Sequence, residues 1–261
     1  MKLNSIAVAL VGAGMALSAS AATTVVDLTT AGASGTANGA IFQQISPQTT
    51  GSGVIDPFLR VDANRTEQGF NNSVNAFALD DVGKGGQTYN HDIQLSQVPQ
   101  VTIDGNAYYQ FMLDINQNKD LNQDGNLLSL DKLQIWLRGS PLTTFAGNKG
   151  VLTDLTGSGA VEKYDLDGAG DAYVKLNFTL NPGSGAGDMF ANIPVADLGT
   201  DGSQYVYLYC LFGSNYESND GFEEWALIGQ PGTTNVPDGG TTVLLLGSAI
   251  SAFALIRRKV S

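Results

Sequence analysis

The chain has 261 residues and a formal net charge of −12 at pH 7. Some of the few lysines and arginines lie in the terminal segments, so the body of the chain is acidic. An acidic body argues against a nucleic-acid partner, because binding phosphates would require lysines and arginines. A single cysteine, Cys210, excludes an intramolecular disulfide. The 32 glycines accompany many Leu, Val, Tyr and Phe residues, which indicates turns between short strands rather than disorder.

Residues 1–21 have the pattern of a signal peptide. Lys2 supplies the positive start, Ile6–Leu17 form an apolar run, and Ala19-Ser20-Ala21 is a small-x-small cleavage site. We therefore expect a helical export signal that is cleaved after Ala21, and passage of the chain across the inner membrane.

Residues 22–230 are predicted to form one all-β domain. Short apolar runs alternate with turn signals every ~8–12 residues, and no segment shows a helical period, which favours a β-sandwich of jelly-roll type. The expected strands are Thr24–Leu28, Ala40–Gln44, Val54–Val61, Ser73–Asp80, Asp92–Leu95, Val98–Ile103, Tyr108–Leu113, Lys132–Leu137, Val151–Leu155, Lys163–Leu166, Ala172–Leu180, Met189–Ile193, Gln204–Phe212 and Gly221–Gly229.

Four local patterns refine this prediction. Pro57 makes the third strand an edge strand or a bulged one, and Asp104-Gly105 predicts a tight hairpin. The run YVYLYCLF is apolar on both faces, which indicates a central strand covered on both sides with Cys210 buried in it. Glu223 and Glu224 are adjacent and point to opposite faces, so we expect a solvated pair or one partial cation ligand rather than an acid/base pair.

The segment between the seventh and eighth expected strands carries a ladder of oxygen ligands. Asp120, Asn122 and Asp124 occupy positions 1, 3 and 5 of a twelve-residue loop, Gly125 makes the turn, and Asn126 offers its carbonyl at position 7. Asp131 closes the loop at position 12 with a shorter side chain than the usual Glu, which predicts weak Ca²⁺ binding. The alternative is an Asx-rich turn whose side chains cap their own backbone.

The C-terminal end combines three features. Residues 231–240 are a linker ending in a short motif, an apolar segment follows from Thr241 to Ile256, and a basic end completes residues 241–261. About 16 apolar residues are slightly fewer than the ~20 that span a bilayer unaided. The cations would remain at the cytoplasmic surface, so we expect a transmembrane helix. The motif residues are Val236, Pro237, Asp238, Gly239 and Gly240.

This tail resembles the PEP-CTERM class of bacterial sorting signals in its VPD-type variant. The resemblance implies processing near the motif by an exosortase, a membrane cysteine transpeptidase-like enzyme of exopolysaccharide-producing Gram-negative bacteria. It also implies a membrane-held precursor and delivery to the cell envelope, cell surface or extracellular matrix. Pro237-Asp238-Gly239 stands where the commonest form has Pro-Glu-Pro, which leaves the cut position open.

The body resembles uncharacterised PEP-CTERM proteins over most of residues 51–230. The matching pieces are GVIDPFLRVDANRTEQGFN, YYQFMLDINQ, LLSLDKLQIWL, GAGDMFANIPV and GFEEWALIG. The resemblance supports one domain and implies no known activity.

No sequence motif supplies a nucleophile with its base, and the lone His91 has no evident partner. We therefore expect a non-catalytic envelope or matrix protein, stabilised by calcium if the acidic loop binds it. Two alternatives stay open. One is a carbohydrate-binding module that stacks sugars on Trp136, Trp225 or tyrosines, with exopolysaccharide as a candidate partner. The other is a secreted hydrolase with two carboxyl groups facing each other across a cleft.

Overall fold

The computed structural model describes residues 22–45, 55–75, 79–80, 89–118, 124–144, 153–183, 185 and 187–228. The predicted signal peptide, the sorting motif and the apolar tail lie outside these residues, and so do the two terminal helices expected there. Within the described ranges, no helix has the length and apolar character needed to cross a membrane.

Short strands dominate the described residues, which confirms the all-β prediction. The strands are β1 Thr24–Asp27, β2 Ser34–Ala37, β3 Ala40–Gln44, β4 Ile55–Val61, β5 Glu67–Phe70, β6 Ile93–Gln94, β7 Gln100–Ile103, β8 Asn106–Asp114, β9 Leu127–Arg138, β10 Val161–Asp165, β11 Ala172–Asn177, β12 Met189–Pro194, β13 Tyr205–Phe212 and β14 Glu223–Ile228. Helical structure in the same residues includes α1 Thr153–Thr156, α2 Val195–Leu198 and the 3₁₀ turns Leu95–Gln97 and Phe178–Leu180.

The strands form two sheets of seven strands each. Sheet A has the order β1-β11-β9-β13-β5. In addition, β10 pairs with β9, and β6 pairs with β13. Sheet B has the order β2-β3-β12-β8-β14-β4, with β7 also on β8. The pairs are antiparallel except for β1 with β11. The arrangement of the two sheets as a jelly-roll-type sandwich stays a prediction.

Residues of both sheets bury their apolar side chains in one cluster, which we call the shared core. In β13 the alternate residues Val206, Leu208, Cys210 and Phe212 belong to the shared core. Tyr207 and Tyr209 point to the opposite face, into an outer cluster with Phe70, Trp136, Leu142 and Leu155. β13 is therefore a central strand covered on both faces, as its apolar sequence predicts.

The predicted hairpin is confirmed. β7 and β8 are joined by Asp104 and Gly105, whose φ angles of +50° and +81° fit the primed turn that matches strand twist. A second hairpin of the same kind joins β2 to β3 through Asn38 and Gly39, with φ angles of +43° and +80°. β2 was not among the expected strands, because its small polar residues carry a weak strand signal.

β4 confirms the edge prediction for the strand that contains Pro57. It ends the order of sheet B, and a bulge puts Leu59 opposite Trp225 and Pro57 opposite Ala226, which leaves Phe58 as the extra residue. Proline lacks the N–H that an interior strand would need, so an edge with a bulge is where it is tolerated.

Two expected strands are wrong in the described residues. Val151–Leu155 was expected as a strand, whereas Thr153–Thr156 form the helical turn α1, and Leu155 packs into the outer cluster. Within the expected strand Ser73–Asp80, the described residues Ser73–Asn75 and Leu79–Asp80 form bends. Leu155 is a buried side chain of a helical turn, whereas Val74 is exposed in its bend. Short apolar runs of this kind occur outside strands too, and periodicity alone cannot distinguish the cases.

Gly213 provides a sharp test of this packing. Its φ is +89°, and a Cβ there would overlap the carbonyl of Arg65, which accepts the amide of Ser218. We expect Gly213→Ala to lower the free energy of unfolding by about 3 kcal/mol, from steric overlap plus left-handed strain. Urea unfolding followed by tryptophan fluorescence measures the change.

Gly105→Ala is the matched control. Gly105 has a similar φ of +81°, but no atom lies within 4 Å of the added Cβ. Its cost should be limited to the backbone strain of about 1 kcal/mol. Equal losses in the two variants would contradict the close approach at Gly213.

Candidate functional site

The acidic loop lies between β8 and β9, and the structure describes part of the predicted ligand ladder. Asp120 and Asn122 lie outside the described residues. Asp124 is exposed and has a φ of +59°, while Asn126 is buried. β9 begins at Leu127, earlier than the predicted start at Lys132, so Asp131 belongs to a strand rather than to the loop.

Asp131 is held by a bulge in β9. Leu130 pairs with Phe212 and Lys132 pairs with Leu211, which leaves Asp131 as the extra residue. Its carboxylate accepts hydrogen bonds from the Ser129 hydroxyl at 2.8 Å, the Ser214 amide at 2.6 Å and the Asn215 side chain at 2.7 Å. Asp131 therefore fixes the loop that follows β13.

The bulge also changes which side of β9 faces the interior. Leu128 and Leu130 enter the shared core before it, and Leu133, Ile135 and Leu137 enter the shared core after it. One inserted residue shifts the period-2 pattern by one position, so a single strand keeps its apolar side chains inward along its whole length.

Asn126 bonds to the turn that follows β11. Its Nδ2 donates to Asn177 Oδ1 at 2.7 Å, and its carbonyl accepts the Phe178 amide at 3.0 Å. The carbonyl predicted at loop position 7 thus already has one donor, and its second lone pair is the one left for a ligand.

Asn219 clamps the base of the acidic loop. Its Oδ1 accepts the Asn118 amide at 2.8 Å, and its Nδ2 donates to the Gly125 carbonyl at 2.7 Å. Its own amide donates to Gln117 Oε1 at 3.1 Å. The two ends of the loop are therefore held together by one side chain.

The described acidic groups do not by themselves form a metal centre. Within the part of the chain that the structure describes, no three His, Cys, Asp or Glu side chains are grouped as metal ligands would be. Of the predicted set, the structure brings Asp124 and Asn126 together at the loop, and Asp131 faces the loop after β13. The calcium hypothesis stays a prediction because Asp120 and Asn122 are not described.

A polar pocket of about 470 Å³ lies where the β2–β3 turn approaches β10 and α2. Its lining includes Asn38, Glu162, Lys163, Asp165 and Asp197. Burial raises the pKa of Glu162, with a further contribution from the charge of Asp165, and burial raises the pKa of Asp197. Such carboxyl and amide groups suit a hydroxyl-rich or cationic ligand. These residues are far apart in sequence, so no spacing motif could have revealed the pocket.

The prediction of a solvated Glu223–Glu224 pair is wrong. Both side chains are buried, and Glu223 is completely enclosed. Adjacent strand residues do point to opposite faces, but both faces of β14 are covered, because Trp225 lies in the shared core and Ala226 in a third cluster with Ile45 and Met112.

The aromatic residues proposed as sugar platforms are interior residues. Trp136 is 8% exposed and Trp225 is fully buried. A partly exposed group remains on sheet A, where Lys175 Nζ lies 4.3 Å from the centre of the Tyr216 ring and Tyr173 packs beside it at a 46° tilt. Tilted rings with a lysine on one face offer a poor platform for a flat sugar face.

Cys210 and His91 have structural surroundings. Cys210 is buried, and burial raises the pKa of its thiol well above the usual range, which opposes thiolate chemistry. The His91 backbone donates to the Phe58 carbonyl at 3.0 Å and accepts the Asn71 side chain at 3.2 Å.

Comparison with known proteins adds one finding at the C-terminal end. A family model described as the VPDSG-CTERM motif matches residues 235–260. No curated protein and no solved structure matches the chain.

The chain thus joins a body of two β-sheets to a C-terminal sorting signal of the PEP-CTERM type. Such a signal implies export to the cell envelope or surface. The predicted motif from Val236 to Gly240 lies inside the matched range, and the resemblance of the body to other PEP-CTERM proteins stays a prediction.

Asp131 allows a direct test of the bulge. Asp131→Ala removes an acceptor for three donors and leaves the Ser214 amide without its carboxylate, so we expect a loss of about 3 kcal/mol in unfolding free energy. The neighbouring Lys132→Ala removes only a partly exposed ion pair with Asp167 at 3.2 Å. It should cost at most about 1 kcal/mol. Denaturant unfolding of both variants checks the ranking, and similar losses would refute it.

Proposed function

We propose that this protein is an exported, non-catalytic component of the cell envelope or extracellular matrix of a Gram-negative bacterium. Its β-sandwich body is delivered through the C-terminal signal and processed by an exosortase-type enzyme. The observation that carries the proposal is the match of the sorting motif to residues 235–260, behind a body of two β-sheets.

The use of polar side chains in the body supports a structural role. Asp131, Asn219 and Asn126 each satisfy several backbone or side-chain groups of neighbouring loops. The thiol of Cys210 is enclosed in the shared core. Groups committed in this way stabilise loops and are poorly placed to act on a substrate.

We further propose that the acidic loop is a weak calcium site formed by Asp120, Asn122, Asp124, the Asn126 carbonyl and Asp131. The clamp by Asn219 supports this, because it brings Asn118 and Gly125 together and so shortens the loop that an ion has to order. Binding would use the second lone pair of the Asn126 carbonyl. Asp131 would act as a ligand by giving up part of its hydrogen bonding to Ser214 and Asn215. The net charge of −12 favours cation binding over anion binding.

A second candidate function is binding of a polysaccharide. It is favoured by the polar pocket with Asn38, Glu162 and Asp165 in its lining, since carboxylates and amides accept and donate hydrogen bonds to sugar hydroxyls. It is not favoured by Trp136 or Trp225, which lie in the interior.

The sorting proposal predicts distinct fates for two tail variants. A chain ending at residue 234 lacks the matched motif and the apolar segment, so it should be released into the periplasm. A triple variant, Val236→Ala with Pro237→Ala and Asp238→Ala, keeps the apolar segment and basic end, so it should remain uncut in the inner membrane. Cell fractionation and the mass of the C-terminal fragment measure both outcomes.

The wild-type chain is the reference and should appear shortened in the envelope or medium. A triple variant processed like wild type would contradict recognition of the Val236–Gly240 motif. Release of the wild type in uncut form would contradict the processing itself.

The calcium proposal predicts a modest, loop-specific stabilisation. At free calcium about tenfold above its Kd, binding contributes about 1.4 kcal/mol. For a body of this size we expect a Tm increase of about 3–6 °C. Asp124→Ala should abolish both this increase and the binding of terbium, because it removes a direct ligand.

Asp104→Ala is the matched control, because Asp104 is also an exposed aspartate in a left-handed turn, with a φ of +50°. It should keep the full calcium response. The metal hypothesis fails if wild type shows no stabilisation at millimolar calcium, or if the two variants respond alike.

A further inference from the structure

Two glutamates lie in the interior, one from each sheet. Glu67 begins β5 at the edge of sheet A, and Glu223 begins β14 in sheet B. Glu223 lies two residues before Trp225 in the same strand, so its side chain points to the same face as Trp225, toward the shared core. Glu67 lies three residues before Phe70, so its side chain points to the face opposite to Phe70, away from the outer cluster. Both side chains therefore point inward, and both are 0% exposed.

In each of the two carboxyl groups, one oxygen accepts hydrogen bonds from neighbouring N–H groups. Glu67 Oε2 accepts the Ala63 amide at 2.8 Å. Glu223 Oε1 accepts the Gln117 side chain at 2.8 Å and the Asn116 amide at 3.5 Å. Among the described residues, the other oxygens, Glu67 Oε1 and Glu223 Oε2, are buried without a hydrogen-bond partner, and so is the hydroxyl of the neighbouring Ser218. The charge of Glu67 acts on Glu223, and a bond between the two unsatisfied oxygens requires a proton on one of them.

The electrostatics favour retention of that proton. Burial raises the pKa of Glu67, and the charge of Asp62 adds to the effect. Burial and then the charge of Glu67 raise the pKa of Glu223 well above its usual range. The Cys210 thiol, which also faces the pair from β13, stays neutral because burial raises its pKa. Two ionised carboxylates in contact inside a core would repel strongly with little solvent screening.

We propose that Glu67 and Glu223 share a single proton and that this O–H···O bond joins the edge of sheet A to sheet B. The protonated carboxyl donates to the carboxylate of its partner, so every buried oxygen of the pair gains a partner. A calcium ion in the same place would need six to eight oxygen ligands. Next to the two glutamates, the Ser218 hydroxyl is a further oxygen that a calcium ion could contact. One oxygen of each carboxyl group already accepts a hydrogen bond from an N–H group.

The shared proton also lies at the inner end of the acidic loop. Gln117 donates to Glu223 and accepts the amide of Asn219, which in turn clamps Asn118 and Gly125. Ionisation of the pair would therefore act on the base of the acidic loop as well as on the contact between sheets.

The sign of the pH dependence follows from the raised pKa values. A carboxyl group whose pKa is higher in the folded state contributes stability that is complete below its unfolded pKa, about 4.3. This contribution is lost as the pH rises through the folded pKa. The pair therefore stabilises the protein in acid and weakens it in alkali, opposite to ordinary salt-bridged carboxylates.

The test uses the full-length chain in mild detergent, with thermal unfolding from about pH 5 to about pH 9. Wild type should lose Tm as the pH rises, and Glu223→Gln should lose less, because its amide replaces the shared proton as the donor to Glu67. Infrared spectra at neutral pH should show a protonated carboxyl band in wild type that decreases in Glu223→Gln. Glu67→Gln repeats both measurements in case the first variant fails to fold.

Asp188→Asn is the control, since Asp188 is a buried carboxyl whose pKa burial also raises. This variant should lose the contribution of Asp188 to the infrared band of protonated carboxyl groups. It should keep the contribution of the Glu67–Glu223 pair to that band and to the pH dependence of Tm. The proposal is overturned if both glutamine variants keep the full band and the wild-type pH profile. It is equally overturned if calcium raises the Tm of wild type and the glutamine variants lose that response while Asp124→Ala keeps it, because the pair would then hold a cation.

Discussion

The structure depends on burial of the inner faces of two sheets in one shared core. Strands from both sheets contribute Leu, Ile, Val and Phe side chains to it, so a strand keeps a period of two except where a bulge inserts a residue. The bulge at Asp131 shows how strong this constraint is, because β9 inserts a residue and still returns its leucines to the interior on both sides. Apolar burial of this extent is the dominant favourable term in folding.

Several polar groups form a connected hydrogen-bond network beside this core. The loop after β13 is held by Asp131 and in turn clamps the acidic loop through Asn219. The same region reaches inward through Gln117 to Glu223 and Glu67. Some of the acidic side chains thus lie inside the protein, where they accept hydrogen bonds. Burial there favours the neutral form of a carboxyl group.

The chain combines two functional parts. The sorting motif at residues 235–260 implies export to the cell envelope or surface. The body, with its interior aromatic residues and satisfied polar loops, supplies a stable fold for that location. This combination is the basis of the proposed structural role in the envelope or matrix.

The sequence by itself determined the features that depend on neighbouring residues. The all-β class, the Asp104-Gly105 hairpin, the bulged edge at Pro57, the central position of β13 and the sorting tail were all predictable, because turn chemistry, strand period and hydropathy are local. Only the tertiary structure decided the burial of Glu67 and Glu223, the place of Asp131 in a strand, the clamp by Asn219 and the polar pocket. Each of these depends on which distant segments pack together, and hydrogen-bond partners more than 80 residues apart leave no spacing signal in the sequence.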